Sequence, residues 1–297
     1  MKKKIIVTGG AGFIGSNLVD ALVVRGYDVH VVDNLVAGKK EHVNKNATLH
    51  IEDIRNLEKL IEIFKGAKYV FHLAALPRVQ FSIENPLETN EINVTGTLNV
   101  FIAAEKNKVK RIIYSASSSA YGDQGEMPLH EDMTPSPKSP YGLHKYVGEI
   151  YARVWSEIYG VETVSLRYFN VYGPRQSDEG AYALVIAKFL KQKHYGIPMT
   201  ITGDGEQTRD FTHVIDVVNA NILAMESNKV GKGEVINIGA GQEVSVNEIA
   251  KIIGGATINI SPRIESRRSL ADNRKAKKFL GWYPEVTIEE GMKKFLN

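Results

Sequence analysis

Up to Asn170, short apolar runs rich in Ile and Val alternate with longer stretches in which apolar residues recur at helical spacing. The runs are Lys4 to Thr8, Asp28 to Val32, Thr48 to Glu52, Tyr69 to Leu73, Arg111 to Ser115 and Glu162 to Arg167. Continuous rather than alternating apolar character marks strands buried on both faces, and strands that alternate with helices pair in parallel. The pattern predicts an α/β fold on a doubly wound parallel sheet. Such sheets bind ligands outside the carboxyl ends of their strands, so residues just after each run are the first candidates for chemistry.

Beyond Asn170 the rhythm breaks into segments such as Tyr172-Gly173-Pro174-Arg175 and Gly203-Asp204-Gly205-Glu206, and Gly233 to Gly239 reads as one more strand returning to the sheet. A chain of 297 residues exceeds the usual size of one core. We expect a larger sheet domain of residues 1–169 plus 212–239 and a smaller α+β domain of residues 170–211 plus 240–297.

Hydrophobic residues at 43% and charged residues at 24% are ordinary for a globular chain. The net charge of +3, from 37 basic and 34 acidic residues, leaves no strong field for nucleic acid or an acidic membrane. The densest basic stretch, Arg263 to Lys278, suits a solvated face or a small anionic ligand. The absence of cysteine excludes disulfides and thiolate chemistry and fits a reducing compartment. Met1-Lys2-Lys3-Lys4 is followed by only three apolar residues, too few for a signal core, and no run reaches the roughly 18 apolar residues of a membrane span. The expected location is the cytoplasm.

The first run ends in Thr8-Gly9-Gly10-Ala11-Gly12-Phe13-Ile14-Gly15, followed by a helical pattern from Ser16 to Arg25. Glycines at 9, 12 and 15 permit a tight turn, close approach of backbone N–H groups to a pyrophosphate, and close packing of helix on strand. The next strand ends at Asp33, where a carboxylate accepts hydrogen bonds from both adenosine ribose hydroxyls and repels a 2′-phosphate. This combination points to NAD rather than NADP; the bland alternative is a structural glycine turn with Asp33 as a helix cap.

Of thirteen tyrosines, only Tyr141 has a lysine four positions on, in Ser139-Pro140-Tyr141-Gly142-Leu143-His144-Lys145. That spacing stacks both side chains on one helix face. An adjacent ammonium and a positive nicotinamide ring would stabilise the phenolate, making Tyr141 a general base near neutral pH. The run Tyr114-Ser115-Ala116-Ser117-Ser118-Ser119 puts hydroxyls at the carboxyl edge of the sheet, where one can share the reacting oxygen with Tyr141.

Together the glycine triplet, Asp33, His72-Leu73-Ala74-Ala75, the serine cluster and Tyr141 with Lys145 resemble the extended short-chain dehydrogenase/reductases, in their nucleotide-sugar epimerase and dehydratase branch. The likeness continues through Arg167-Tyr168-Phe169-Asn170-Val171-Tyr172-Gly173-Pro174-Arg175, Arg209-Asp210-Phe211 and Leu280-Gly281-Trp282. It implies a Rossmann fold, a catalytic trio of Ser117, Tyr141 and Lys145, and a cofactor site of Gly9, Gly12, Phe13, Ile14, Gly15, Asp33, Asn34, Asp53, Ile54, Leu73, Ala74, Ala75 and Asn93. It places a UDP-sugar against Ser118, Ser119, Asn170, Arg209, Arg263, Glu265 and Ser269, the last three in a loop one residue shorter than the family's. It implies no metal, and a homodimer formed through the helices around Asn90 to Lys106 and Leu143 to Tyr159.

The carbon-4 hydrogen of a sugar is not next to a carbonyl, so a base alone cannot remove it, and transient oxidation to a 4-keto sugar solves the problem. Returning the hydrogen to the opposite face inverts carbon 4. A 4,6-dehydratase shares the first oxidation but carries adjacent Asp and Glu where this chain has Ser118 and Ser119, and related decarboxylases usually carry Glu at the second position. The expectation is therefore a 4-epimerase, with a dehydratase, a UDP-glucuronate 4-epimerase and a non-catalytic NAD-binding sensor as rivals. Ser269 stands where epimerases restricted to plain hexoses tend to carry a bulky residue, which suggests that UDP-N-acetylglucosamine is accepted beside UDP-glucose.

Overall fold

The computed structural model describes residues 2–177, 185–262 and 267–296. Seven strands, β1 (Lys4–Thr8), β2 (Asp28–Asp33), β3 (Thr48–Ile51), β4 (Ala67–His72), β5 (Arg111–Ser117), β6 (Glu162–Tyr168) and β7 (Lys232–Ile238), form one sheet. Its order is β7-β6-β5-β4-β1-β2-β3, and every neighbouring pair is parallel. The chain winds outward from β1 to β3, then returns to β4 beside β1 and winds the other way. The crevice where the winding reverses lies beyond the carboxyl ends of β1 and β4, the place where doubly wound sheets bind their ligands.

The continuous apolar runs have a simple cause. Along β1, Ile5 and Val7 join one core cluster and Ile6 the other, so both faces of the strand are covered. The first face is covered by α1 (Phe13–Val24), with α6 (Val214–Glu226) and α8 (Arg274–Leu280) from later in the chain; α2 (Leu57–Ile63), α3 (Thr97–Lys106) and α4 (Pro140–Tyr159) cover the second. Each fully buried Ile, Val or Leu contributes roughly 1.5–3 kcal/mol. Strand ends differ from the pattern by a residue or two, with β2 running on to Asp33, β5 to Ser117 and β6 to Tyr168, and α1 starts at Phe13 rather than Ser16 because Gly12 in extended backbone forms its N-cap.

A third apolar cluster, including Phe189, Ile201, Ile249 and Met292, gathers α5 (Val185–His194), α7 (Val246–Ile253) and α9 (Ile288–Leu296). Short strand pairs stitch this region: Met199–Thr202 with Thr257–Ile260, Thr208–Arg209 with Val244–Ser245, and Val171–Tyr172 with Thr212–His213. Trp282 packs into the first cluster instead, its indole N–H donating to Asp216 O at 2.9 Å. No helix among the described residues is long and apolar enough to cross a membrane.

Candidate active site

Helix α4 starts where its sequence says it should. The Ser139 side chain accepts from Gly142 N at 3.1 Å, and Pro140 occupies the first helical position, where its missing N–H costs nothing. The orphan N–H of Tyr141 donates to the buried Ser82 hydroxyl at 3.0 Å. Gly142 lets this end of the helix lie against the turn after β5, since a Cβ there would sit 2.6 Å from Ser119 O. Tyr141, Lys145 and Glu149 follow one another a turn apart, all buried.

Ser117 is the last residue of β5. Its hydroxyl accepts from Ser119 N at 3.2 Å, reaches Ser119 Oγ at 3.1 Å and partners the Tyr141 phenol. Lys145 Nζ donates to Ser115 O at 2.7 Å and lies over the rings of Tyr114 and Tyr141, at 5.2 and 6.0 Å from their centroids. The three side chains expected to act together are thus brought together. The electrostatics differ from the expected picture: burial pushes the Tyr141 phenol above its ordinary value, and Ser117, not Lys145, opposes the rise. Burial lowers Lys145 to about 8 against the pull of Glu149. The reason is geometric, because the ammonium is given to a backbone carbonyl and to ring faces.

Sequence reasoning missed the group behind Lys145. Glu149 and Arg167 form a buried bidentate pair at 2.8 and 2.7 Å, each side chain 2% exposed. The guanidinium stacks 4.3 Å over Tyr121, whose hydroxyl donates to Asn237 Oδ1 at 2.7 Å. The i+4 step from Lys145 to Glu149 was legible; its partner on β6 was not.

The residues expected at the cofactor converge on the switch point. Gly9 has φ +71, and a Cβ there would lie 2.6 Å from Ala74 N; one on Gly15 would lie 2.1 Å from Gly9 O. A Cβ on Gly12 would meet only Gly9 O, at 3.2 Å, so that side of the loop is an open cradle. No side chain caps α1 and no acid stands in its first turn, leaving the N-terminal N–H groups at Phe13, Ile14 and Gly15 suited to an anion. The buried Asp33 carboxylate accepts from Ala11 N at 3.0 Å and Leu35 N at 2.9 Å and keeps lone pairs for a further donor. Burial pushes its pKa up. Asp33 therefore also anchors the glycine loop, which its assignment as a ribose acceptor did not anticipate. Asn34 donates to Asp53 Oδ2 at 2.9 Å, and Arg55 beside Asp53 holds that carboxyl at about 2. Ile54 packs under Gly96, and Leu73 N donates to Thr8 O at 3.1 Å beside the half-buried Ala74 and Ala75. Asn93 has its amide committed to the backbone of Leu76. This open, anion-favouring cradle with a carboxylate at the end of β2 fits a dinucleotide.

Ser118 and Ser119 form the turn beside Ser117. Asn170 lies two residues past Tyr168, the register partner of Ser117, and its amide donates to Asp210 O at 3.3 Å. The Arg267–Asp272 segment is tied to the neighbouring strand by Thr208 N to Arg267 O at 3.0 Å and Ala271 N to Asp210 Oδ2 at 2.9 Å. Asn170, Arg209 and Ser269 are so brought into one neighbourhood, whereas Arg263 and Glu265 lie outside the described residues. Asp210 was not singled out in the sequence. It also accepts from Ala240 N and Gly241 N, at 2.7 and 3.0 Å, and burial raises it to about 6.

Comparison with known proteins agrees with this geometry. The family model described as the NAD dependent epimerase/dehydratase family matches residues 5–239, and the chain belongs to that family. A putative UDP-glucose 4-epimerase of Methanocaldococcus jannaschii is 43% identical, over 99% of this chain and 97% of its own. The UDP-glucose 4-epimerase of Thermotoga maritima, solved with UDP-glucose, superposes with a TM-score of 0.93 at 42% identity, covering 99% of this chain and 97% of that one. The UDP-N-acetylglucosamine 4-epimerase of Methanobrevibacter ruminantium, solved with UDP-N-acetylmuramic acid, gives 0.93 at 39% identity, over 100% and 99%. Relatives named for decarboxylation of UDP-sugar acids and for UDP-glucuronate 4-epimerisation match at 33–37% identity.

Proposed function

We propose that this member of the family is a UDP-sugar 4-epimerase that interconverts UDP-glucose and UDP-galactose and accepts the N-acetylated pair as well. The observation that carries the reading is the company of Tyr141. Ser117, Ser118 and Ser119 surround the turn it faces with hydroxyls, where a dehydratase or decarboxylase of this branch carries a carboxylate.

When bound, NAD supplies a two-electron acceptor that takes the carbon-4 hydrogen with its electron pair and returns it. Gly9, Gly12, Phe13, Ile14 and Gly15 would hold its diphosphate and Asp33 its ribose, with Asn34, Asp53, Ile54, Leu73, Ala74 and Ala75 lining the remainder. Tyr141 Oη takes the proton of the sugar 4-hydroxyl and gives it back after the flat 4-keto sugar has turned. Ser117 orients that hydroxyl through the oxygen it already shares with the phenol. Lys145 holds positive charge beside the ring of Tyr141 and, anchored on Ser115 O, keeps it in place. Asn170 and Arg209 grip the nucleotide diphosphate so that only the sugar moves.

The small Ser269 and the likeness to an N-acetylglucosamine epimerase support the wider substrate range. The exposed Leu143, Ile158 and Tyr159 on α4 support a homodimer through α3 and α4. The division into residues 1–169 plus 212–239 and 170–211 plus 240–297 belongs to the same proposal. Purified protein incubated with UDP-glucose, UDP-N-acetylglucosamine, UDP-glucuronate and dTDP-glucose, with products identified by NMR, tests it. Carbon-4 epimers of the first two are expected; a 4-keto-6-deoxy sugar, or loss of carbon dioxide from the uronate, overturns the reading. Ser269→Tyr should abolish turnover of the N-acetylated substrate preferentially, and equal loss on both substrates would sink that part.

A further inference from the structure

Beneath the cofactor cradle runs a buried row of polar side chains that the mechanism does not use: Thr8 on β1, His72 at the end of β4, Asn93, and Thr97 at the start of α3, none more than 2% exposed. Asn93 lies in a π-helical turn, Glu91–Gly96, a rare conformation that accumulates at functional sites.

The hydrogen bonds in this row leave one arrangement of protons. Thr97 Oγ1 lies 2.7 Å from Asn93 O, which can only accept, so the Thr97 proton goes there. Thr97 Oγ1, 2.9 Å from His72 Nε2, must then accept from it. His72 therefore carries its proton on Nε2, its Nδ1 is bare, and Thr8 Oγ1 donates to Nδ1 at 2.7 Å. The Thr8 oxygen is left to accept Ala74 N–H at 3.3 Å. At the other end, the Asn93 amide receives Leu76 N–H at 2.8 Å and donates to Leu76 O at 3.0 Å. Ala74 and Leu76 belong to one loop, so the row closes on itself with His72 as the bridge. Burial holds His72 far below its ordinary pKa, at about 3, so the arrangement persists at working pH.

We infer that His72, locked as the neutral Nε2–H tautomer between Thr8 and Thr97, is a positioning residue that holds the Leu73–Leu76 loop against Gly9 and thereby shapes the NAD platform. The loop approaches Gly9 closely, since a Cβ there would lie 2.6 Å from Ala74 N. The inference rests on the reading of this edge as the NAD site, and its tests do not use the epimerase reaction.

Long-range proton–nitrogen NMR of protein labelled at histidine, with the His72 signal identified by its absence in His72→Gln, reports the tautomer directly. The Nε2–H pattern, unchanged from pH 5 to 8, is expected; an Nδ1–H pattern or titration within that window overturns the inference, whether or not NAD is bound. The second test follows loss of NAD from the protein by absorbance. Thr97→Val, which keeps the shape and removes both hydrogen bonds, should release NAD roughly tenfold faster, and Thr97→Ser should restore the wild-type rate. Equal release from wild type and a folded Thr97→Val overturns the inference, whereas a wild type that binds no NAD would refute the NAD reading, with the tautomer measurement still deciding the network.

Discussion

Glu149 is the most informative side chain to change. Its bidentate pair with Arg167 is buried, at 2.7–2.8 Å with both partners 2% exposed, and among the described residues Arg167 Nη1 has no hydrogen-bond partner in reserve. Glu149→Gln removes the charge that compensates the guanidinium, and breaking one side of such a pair costs about 3–5 kcal/mol. For a chain of this size that corresponds to a fall in Tm of roughly 6–20 °C. The same carboxylate is what opposes the burial-driven lowering of Lys145, which stands at about 8. Without it the ammonium gives up its proton at lower pH, so the alkaline limb of kcat/KM moves towards neutrality. Glu149→Asp, which keeps the charge, should leave that limb near its wild-type position. The linkage has a definite sign. Lys145 is harder to protonate folded than unfolded, so its burial penalty is fully present below pH 8 and is relieved as pH rises from about 8 towards the ordinary 10.5. Scanning calorimetry and pH–rate profiles of the two variants measure both effects. A Glu149→Gln protein with wild-type Tm and an unmoved alkaline limb would refute the reasoning.

The glycine loop separates folding from binding: Gly12→Ala should fold normally but fail to retain NAD by absorbance, whereas Gly15→Ala, with its Cβ 2.1 Å from Gly9 O, should not yield folded protein. Tyr141→Phe should lower kcat by about 10²–10⁴ while bound NAD and Tm stay close to wild type, since among the described residues the hydrogen-bond partner the phenol would lose is Ser117. Asp210→Asn should cost about 1–3 kcal/mol in urea denaturation, because an amide cannot accept all three N–H groups that the carboxylate receives. It should also flatten the stability profile between pH 4 and 6, where Asp210, raised to about 6, makes the wild type lose stability as pH rises.

Much of this site is local in origin. Gly9 to Gly15 turn and cap α1 within one short segment, Ser139-Pro140 starts α4, and a spacing of four residues puts Tyr141 and Lys145 on one face whatever surrounds them, because helix geometry alone sets that register. Buried strands announce themselves by Ile and Val on both faces, so all seven strands of the sheet were legible as runs, with errors only at their ends. Tertiary structure alone decided the rest. The acceptor that satisfies Tyr141 N–H is Ser82, the partner of Glu149 is Arg167, and His72 bridges Thr8 to Thr97; these partners come from distant parts of the chain, and no local pattern specifies them. The phenol and ammonium follow the same rule. Their adjacency is a property of helix spacing, but burial by β5 and the path of the ammonium to Ser115 O determine that Tyr141 rises and Lys145 falls, because desolvation depends on what the whole fold packs around a group.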